Sequence, residues 1–105
     1  YGMQCSNAVR GLYGGGDPHT NLIEFVTMST LGNAVDFGDL TVARYYGGST
    51  SSPTRGIWWN GWTPSRINTI DYVQIMSEGN AIDFGDATIE ANAVTAGLSN
   101  GHGGL

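Results

Sequence analysis

The sequence contains no lysine. Its four cations are Arg10, Arg44, Arg55 and Arg66, set against nine carboxylates for a net charge of −5. That balance argues against a basic nucleic-acid footprint and against docking on an anionic lipid surface. Only 12% of the residues are charged, low for a domain wholly surrounded by water, so much of the surface is expected to be covered by other protein. Cys5 is the only cysteine. A single thiol closes no internal disulfide, and with His19 and His102 far from it in sequence no zinc site is expected; Cys5 reads as a plain buried or half-buried residue. Three prolines stand against 17 glycines, so glycine makes most of the turns. No apolar run approaches the ~20 residues of a membrane span, and no signal peptide is visible. The first residue is Tyr1 rather than Met, as expected of a processed or excerpted chain. At 105 residues the chain is one small domain or part of a larger one.

What the sequence does have is an internal repeat. Asn21-Leu-Ile-Glu-Phe-Val26 returns as Asn68-Thr-Ile-Asp-Tyr-Val73, and Gly32-Asn-Ala-Val-Asp-Phe-Gly-Asp39 returns as Gly79-Asn-Ala-Ile-Asp-Phe-Gly-Asp86, both at an offset of 47 (68 − 21 and 79 − 32). Arg10-Gly-Leu-Tyr13 returns as Arg55-Gly-Ile-Trp58 at an offset of 45 (55 − 10), so the stretch between these landmarks differs by two residues. Ser6-Asn7 matches Ser99-Asn100, and Gly11-Leu12 matches Gly104-Leu105, at an offset of 93 (99 − 6). The repeat of about 46 residues therefore divides the chain into a first copy over 1–47, a second over 48–93 and the start of a third over 94–105.

Short β-branched and aromatic runs punctuated by Gly and Asn predict an all-β fold. Strands are expected at Val9–Tyr13, Leu22–Met28, Val35–Leu40 and Val42–Gly47. In the second copy they are expected at Gly56–Trp59, Thr69–Ile75, Ile82–Ile89 and Ala93–Leu98. No stripe of period 3.6 is present, so no helix is expected. Equivalent residues are expected to share environments, Val26 with Val73 and Phe37 with Phe84. The central strand is apolar on both faces: Ile70 and Tyr72 point one way, Val73 and Ile75 the other. Two copies would leave each sheet with a bare face, so further copies, from the same or neighbouring chains, are the expected partners.

A Gly-Gly turn after a short aromatic strand (Leu12-Tyr13-Gly14-Gly15), then Asn21–Val26, then Leu40-Thr-Val-Ala-Arg44 leading into small residues, resembles a kelch-type β-propeller blade. The Asn-Thr-Ile-Asp-Tyr-Val and Gly-Asn-Ala-Ile-Asp-Phe-Gly-Asp strings resemble tandem repeats of tailed-phage virion structural or tail-fibre proteins. The resemblance implies tandem four-stranded kelch-like propeller blades and a virion or extracellular location. Two departures from the pattern stand out: Trp59-Asn60-Gly61 replaces a double glycine, and Ala91 replaces Arg44.

Asp36, Asp39, Asp83 and Asp86 are the most regular acidic positions. They suit Ca²⁺ ligation or, preferred here, turn capping beside glycine. No metal or cofactor is expected. Asp-Phe-Gly occurs in protein kinases, but the glycine-rich loop, paired lysine and catalytic loop are missing. The aromatic cluster Trp58, Trp59 and Trp62, with Arg55 and Arg66, provides faces for sugar rings or a protein interface, and Tyr45-Tyr46 has the same two readings beside a core role. His19 and His102 read as solvated loop residues. Three functions compete. The first is a structural and adhesive module of a virion or fibre protein, presenting loops to a cell-surface glycan or host receptor. The second is a lectin-like module that assembles from short chains. The third is a propeller enzyme acting on polysaccharide, for which no acid–base motif speaks; no enzyme activity is expected.

Overall fold

The computed structural model describes residues 3–16, 20–63, 65–91 and 97–99. Among them are eight strands: β1 (Met3–Ser6), β2 (Arg10–Gly14), β3 (Thr20–Thr27), β4 (Val35–Arg44), β5 (Gly48–Ser51), β6 (Arg55–Trp59), β7 (Ile67–Gln74) and β8 (Ile82–Ala91). No helix occurs among the described residues, and the fold is all-β, as the residue patterns require. The strands form two four-stranded antiparallel sheets in simple chain order, β1-β2-β3-β4 and β5-β6-β7-β8.

The same local chemistry builds both sheets. The β1–β2 turn is closed by Asn7, whose Oδ1 accepts from the amides of Val9 and Arg10, both at 2.8 Å. Ser52 does the same for β5–β6, its Oγ accepting from Thr54 and Arg55 at 3.3 and 3.1 Å. These are the side-chain turns that Asn and Ser favour. At the β2–β3 turn Gly15 takes φ 69°, and its counterpart Asn60 takes φ 58°. Asn is among the few residues with a side chain that tolerate this left-handed region, so the missing double glycine leaves the turn intact. The backbone bond is kept as well: Gly15 N donates to Leu22 O at 3.1 Å and Asn60 N to Thr69 O at 3.0 Å.

Register repeats to the residue. Glu24 pairs with Asp36 as Asp71 pairs with Asp83, Leu22 with Asp39 as Thr69 with Asp86, and Arg10 with Thr27 as Arg55 with Gln74. Both outer pairs carry two irregularities at the same places, between Thr20 and Leu22 and after Ile23 in the first sheet, between Ile67 and Thr69 and after Ile70 in the second. Strand lengths rise from 4 to 5, 8 and 10 residues across each sheet.

The sheets stack face to face, with β1 against β5 and β6, and β4 touching β8. The core lies between them: Met3, Cys5, Leu12, Ile23, Phe25 and Phe37 from the first sheet meet Trp58, Val73 and Ile75 from the second. Ser49 and Ser51 hydroxyls of β5 donate to the carbonyls of Gln4 and Ser6 in β1. At the opposite edge Gly79 N donates to Phe37 O at 2.9 Å and Ala81 N to Asp39 O at 2.7 Å.

The structure departs from the expected elements and environments at four points. The shortest strands, β1 and β5, were not anticipated. The separate strands expected at Val35–Leu40 and Val42–Gly47 are instead one strand, β4, which ends at Arg44. The expected strand at Ala93–Leu98 lies mostly outside the described residues; Gly97 and Leu98 are not in a strand. Finally, the two equivalent pairs expected to share environments do not. Val26 is 41% exposed and Val73 3%, whereas Phe37 is 3% exposed and Phe84 50%. The cause is the stacking itself. Each sheet is covered on one face by the other, and these equivalents present the same side chain to the covered face in one sheet and to the open face in the other.

Candidate functional site

The chemistry of this molecule is concentrated at the interface between the sheets. Arg44, at the end of β4, and Asp71, in β7, are both fully buried, with Nη2 and Oδ2 2.7 Å apart. The carboxylate is completed by Thr41, whose amide donates to Oδ2 at 2.9 Å and whose hydroxyl donates to Oδ1 at 2.6 Å. Arg44 Nη1 donates to the carbonyls of Asn60 and Thr69, each at 3.4 Å. Burial lowers the Arg44 guanidinium from its ordinary value, and the Asp71 charge opposes that effect. Arginine starts so high that the group stays protonated. The result is a charge clamp that joins the first copy to the second. Sequence reasoning noted the Arg44-to-Ala91 change but missed the clamp. Its signal was the acid kept at one repeat position, Glu24 and Asp71.

The residues proposed for ligand binding are divided by the fold. Trp58 is 0% exposed, its Nε1 donates to Met3 O at 3.2 Å, and it packs under Gly14. It is a core residue, which removes it from any accessible binding face. Trp59 is half-buried. Arg55 lies at the other end of β6, its guanidinium 5.0 Å from the Tyr72 ring centre; Arg10 makes the same contact with Phe25 at 4.4 Å. Tyr45, Tyr46, Trp62 and Arg66 do come together. Tyr45 and Trp62 exchange backbone hydrogen bonds, Trp62 bridges to Arg66, and the two tyrosine rings lie 4.6 Å apart. Tyr46 holds φ 66°, a costly conformation for an aromatic residue. This half-buried aromatic group sits where the β4–β5 and β6–β7 connections meet.

Asp83 Oδ1 accepts from the Gly85 amide at 3.0 Å, the turn-capping use of an Asp-x-Gly string. Among the described residues no three His, Cys, Asp or Glu side chains gather as a metal site would require. Cys5 is buried, and burial pushes its thiol up to about 12, leaving it protonated and unreactive near neutrality. His19 and His102 lie outside the described residues. No described helix is long and apolar enough to cross a membrane.

The two outward faces remain. On the first sheet a groove of about 660 Å³ is lined by Gly11, Tyr13, Glu24, Val26 and Met28 among others. On the second, Ile82, Phe84 and Ile89 are exposed. No family model matches this sequence, and no curated protein matches it either.

Proposed function

We propose that the chain is a structural and adhesive repeat module, whose sheets are blade-like units of a kelch-like propeller in a virion or tail-fibre protein. Its loops meet a cell-surface glycan or receptor. One observation carries this reading: two meandering sheets, widening from a short strand to a long one, stack with the same register at the repeat offset. Stacking of like units through a clamp fits a scaffold, and nothing in the sequence offers an acid–base or nucleophilic arrangement.

The lectin-like reading draws on a second observation, the Tyr45, Tyr46, Trp62 and Arg66 group. Aromatic faces beside a guanidinium suit sugar rings. The mass of the native particle tests the first reading. A long polypeptide carrying many copies is expected, whereas a small ring of 105-residue chains favours the lectin-like assembly. A glycan-binding screen of the chain beside its Trp62→Ala variant tests the loops. Binding lost in the variant places recognition at that end; binding unaffected by the change moves it elsewhere.

A further inference from the structure

The buried face of the second sheet has a counterpart, residue by residue, on the open face of the first. Gly56, Trp58, Asp71, Val73 and Ile75 lie in the interface; Gly11, Tyr13, Glu24, Val26 and Met28 occupy the same register positions on the first sheet. Glycine answers glycine, aromatic answers aromatic, acid answers acid and aliphatic answers aliphatic. Gly11 is the most informative of these. An added Cβ at Gly56 would lie 2.6 Å from Cys5 Sγ, so the interface requires glycine there. At Gly11 the nearest atoms are ordinary neighbours 3.5–3.6 Å away, and no positive φ demands glycine. Among the described residues nothing needs the space that Gly11 leaves. Glu24 lines the same groove, and its carboxylate has no hydrogen-bond or ion-pair partner among the described residues.

The other open face differs. Ile70, Tyr72 and Phe84, beside a buried Ile57, repeat the apolar set of the first sheet, but the position of Arg44 is held by Ala91, in the same pairing register (Thr20 with Arg44, Ile67 with Ala91). Gly97 already lies against Ser49 and Thr50 of β5, on the side away from β1. Positions 4, 49 and 97 are successive equivalents (offsets 45 and 93), and Ser49 donates to Gln4 O on the opposite side.

We infer that the open face of the first sheet is a docking surface for another sheet of this repeat, and specifically for one carrying arginine at the Arg44 position, with Glu24 as the waiting carboxylate. This deepens the repeat-module reading and rests on it. A sheet with alanine there, as in the second copy, would bury Glu24 without a cation, which is strongly unfavourable. The surface therefore discriminates between copies of its own repeat.

The test adds residues 1–45 directly before the full chain, so that Tyr45 runs into Tyr1-Gly2 as it runs into Tyr46-Gly47 in the protein. A Val26→Cys substitution in the receiving sheet reports coverage through its thiol-labelling rate, since Val26 is exposed and Cys5 is buried. The full chain with Val26→Cys alone, of unchanged circular dichroism, is the reference. Labelling is expected to slow by on the order of a hundredfold or more in the fusion, as protection by a stably docked element does. Arg44→Ala in the added copy, or Glu24→Gln in the receiving sheet, should return at least about tenfold of that rate, and Glu24→Asp should retain protection, because Asp71 is the acid already used in the interface. Protection that ignores both substitutions overturns the arginine–glutamate pairing but leaves repeat stacking standing. No protection in a folded fusion overturns the docking surface and the stacking reading together.

Discussion

Arg44 and Asp71 illustrate how an interface made of repeats obtains a specific register. Apolar stacking alone tolerates sliding, whereas two buried charges that must meet do not. Removing one partner strands the other charge in a dry interface, so Arg44→Ala is expected to destabilise the chain by about 3–5 kcal/mol, read from the denaturant midpoint. Replacing the pair together, Arg44→Met with Asp71→Leu, should recover most of that loss, because desolvation of the charges disappears with them. If the double substitution is as harmful as the single one, packing and not charge explains Arg44. The clamp was only half legible in the sequence. The acid recurs at an offset of 47, but the cation has no counterpart in the second copy, and its partner lies 27 residues away in another sheet. No periodicity encodes a contact of that kind. Trp58 was misread for a related reason. Three tryptophans close together suggest a binding cluster, yet alternation along β6 turns Trp58 into the interface and leaves Trp59 on the opposite face.

Among the strands, β3, β7 and β8 were legible, and β4 was legible in two pieces, because they carry β-branched and aromatic residues. The shortest strands were not. Their sequences, Met-Gln-Cys-Ser and Gly-Ser-Thr-Ser, have little intrinsic strand character. They are strands because β2 and β6 pair with them and because their hydroxyls and carbonyls bond between sheets at an offset of 45. Tertiary context overrides weak propensity there. Glycine position is likewise a matter of the element it faces. Gly56→Ala is expected to cost about 1–3 kcal/mol by overpacking against Cys5. Gly11→Ala, its equivalent in the first copy, should stay within about 0.5 kcal/mol of the parent in the chain alone, because its Cβ enters ordinary contact on an open face. Equilibrium unfolding of both variants separates steric demand from strand propensity, which would move the two in the same direction. A Gly56→Ala chain as stable as the parent would mean that β1 and β6 are not held together as described.

For the molecule as a whole, sequence equivalence and energetic equivalence part company. The two copies share backbone register throughout, but one interface between two sheets gives several pairs of equivalent residues one inside member and one outside member, as with Val26 and Val73 or Tyr13 and Trp58. Phe37 and Phe84 show it most directly. Each belongs to the same Asp-Phe-Gly-Asp string and each meets its neighbouring ring edge-on, Phe25 at 5.7 Å and Tyr72 at 5.8 Å. Phe37 is nevertheless buried under the second sheet, whereas half of Phe84 is exposed. Phe37→Ala removes a fully packed ring and leaves a cavity, a loss of about 3–5 kcal/mol. Phe84→Ala gives up one partly exposed ring contact, about 1 kcal/mol. Denaturant titrations of the two variants should therefore differ severalfold although the local sequences are the same. The ratio is a direct gauge of stacking. Should both cost the small amount, the sheets do not lie against each other in solution. Should both cost the large amount, the open face carrying Phe84 is covered as well, as it would be when another sheet of the repeat docks there, and the asymmetry should return on dilution if that cover is a separate chain.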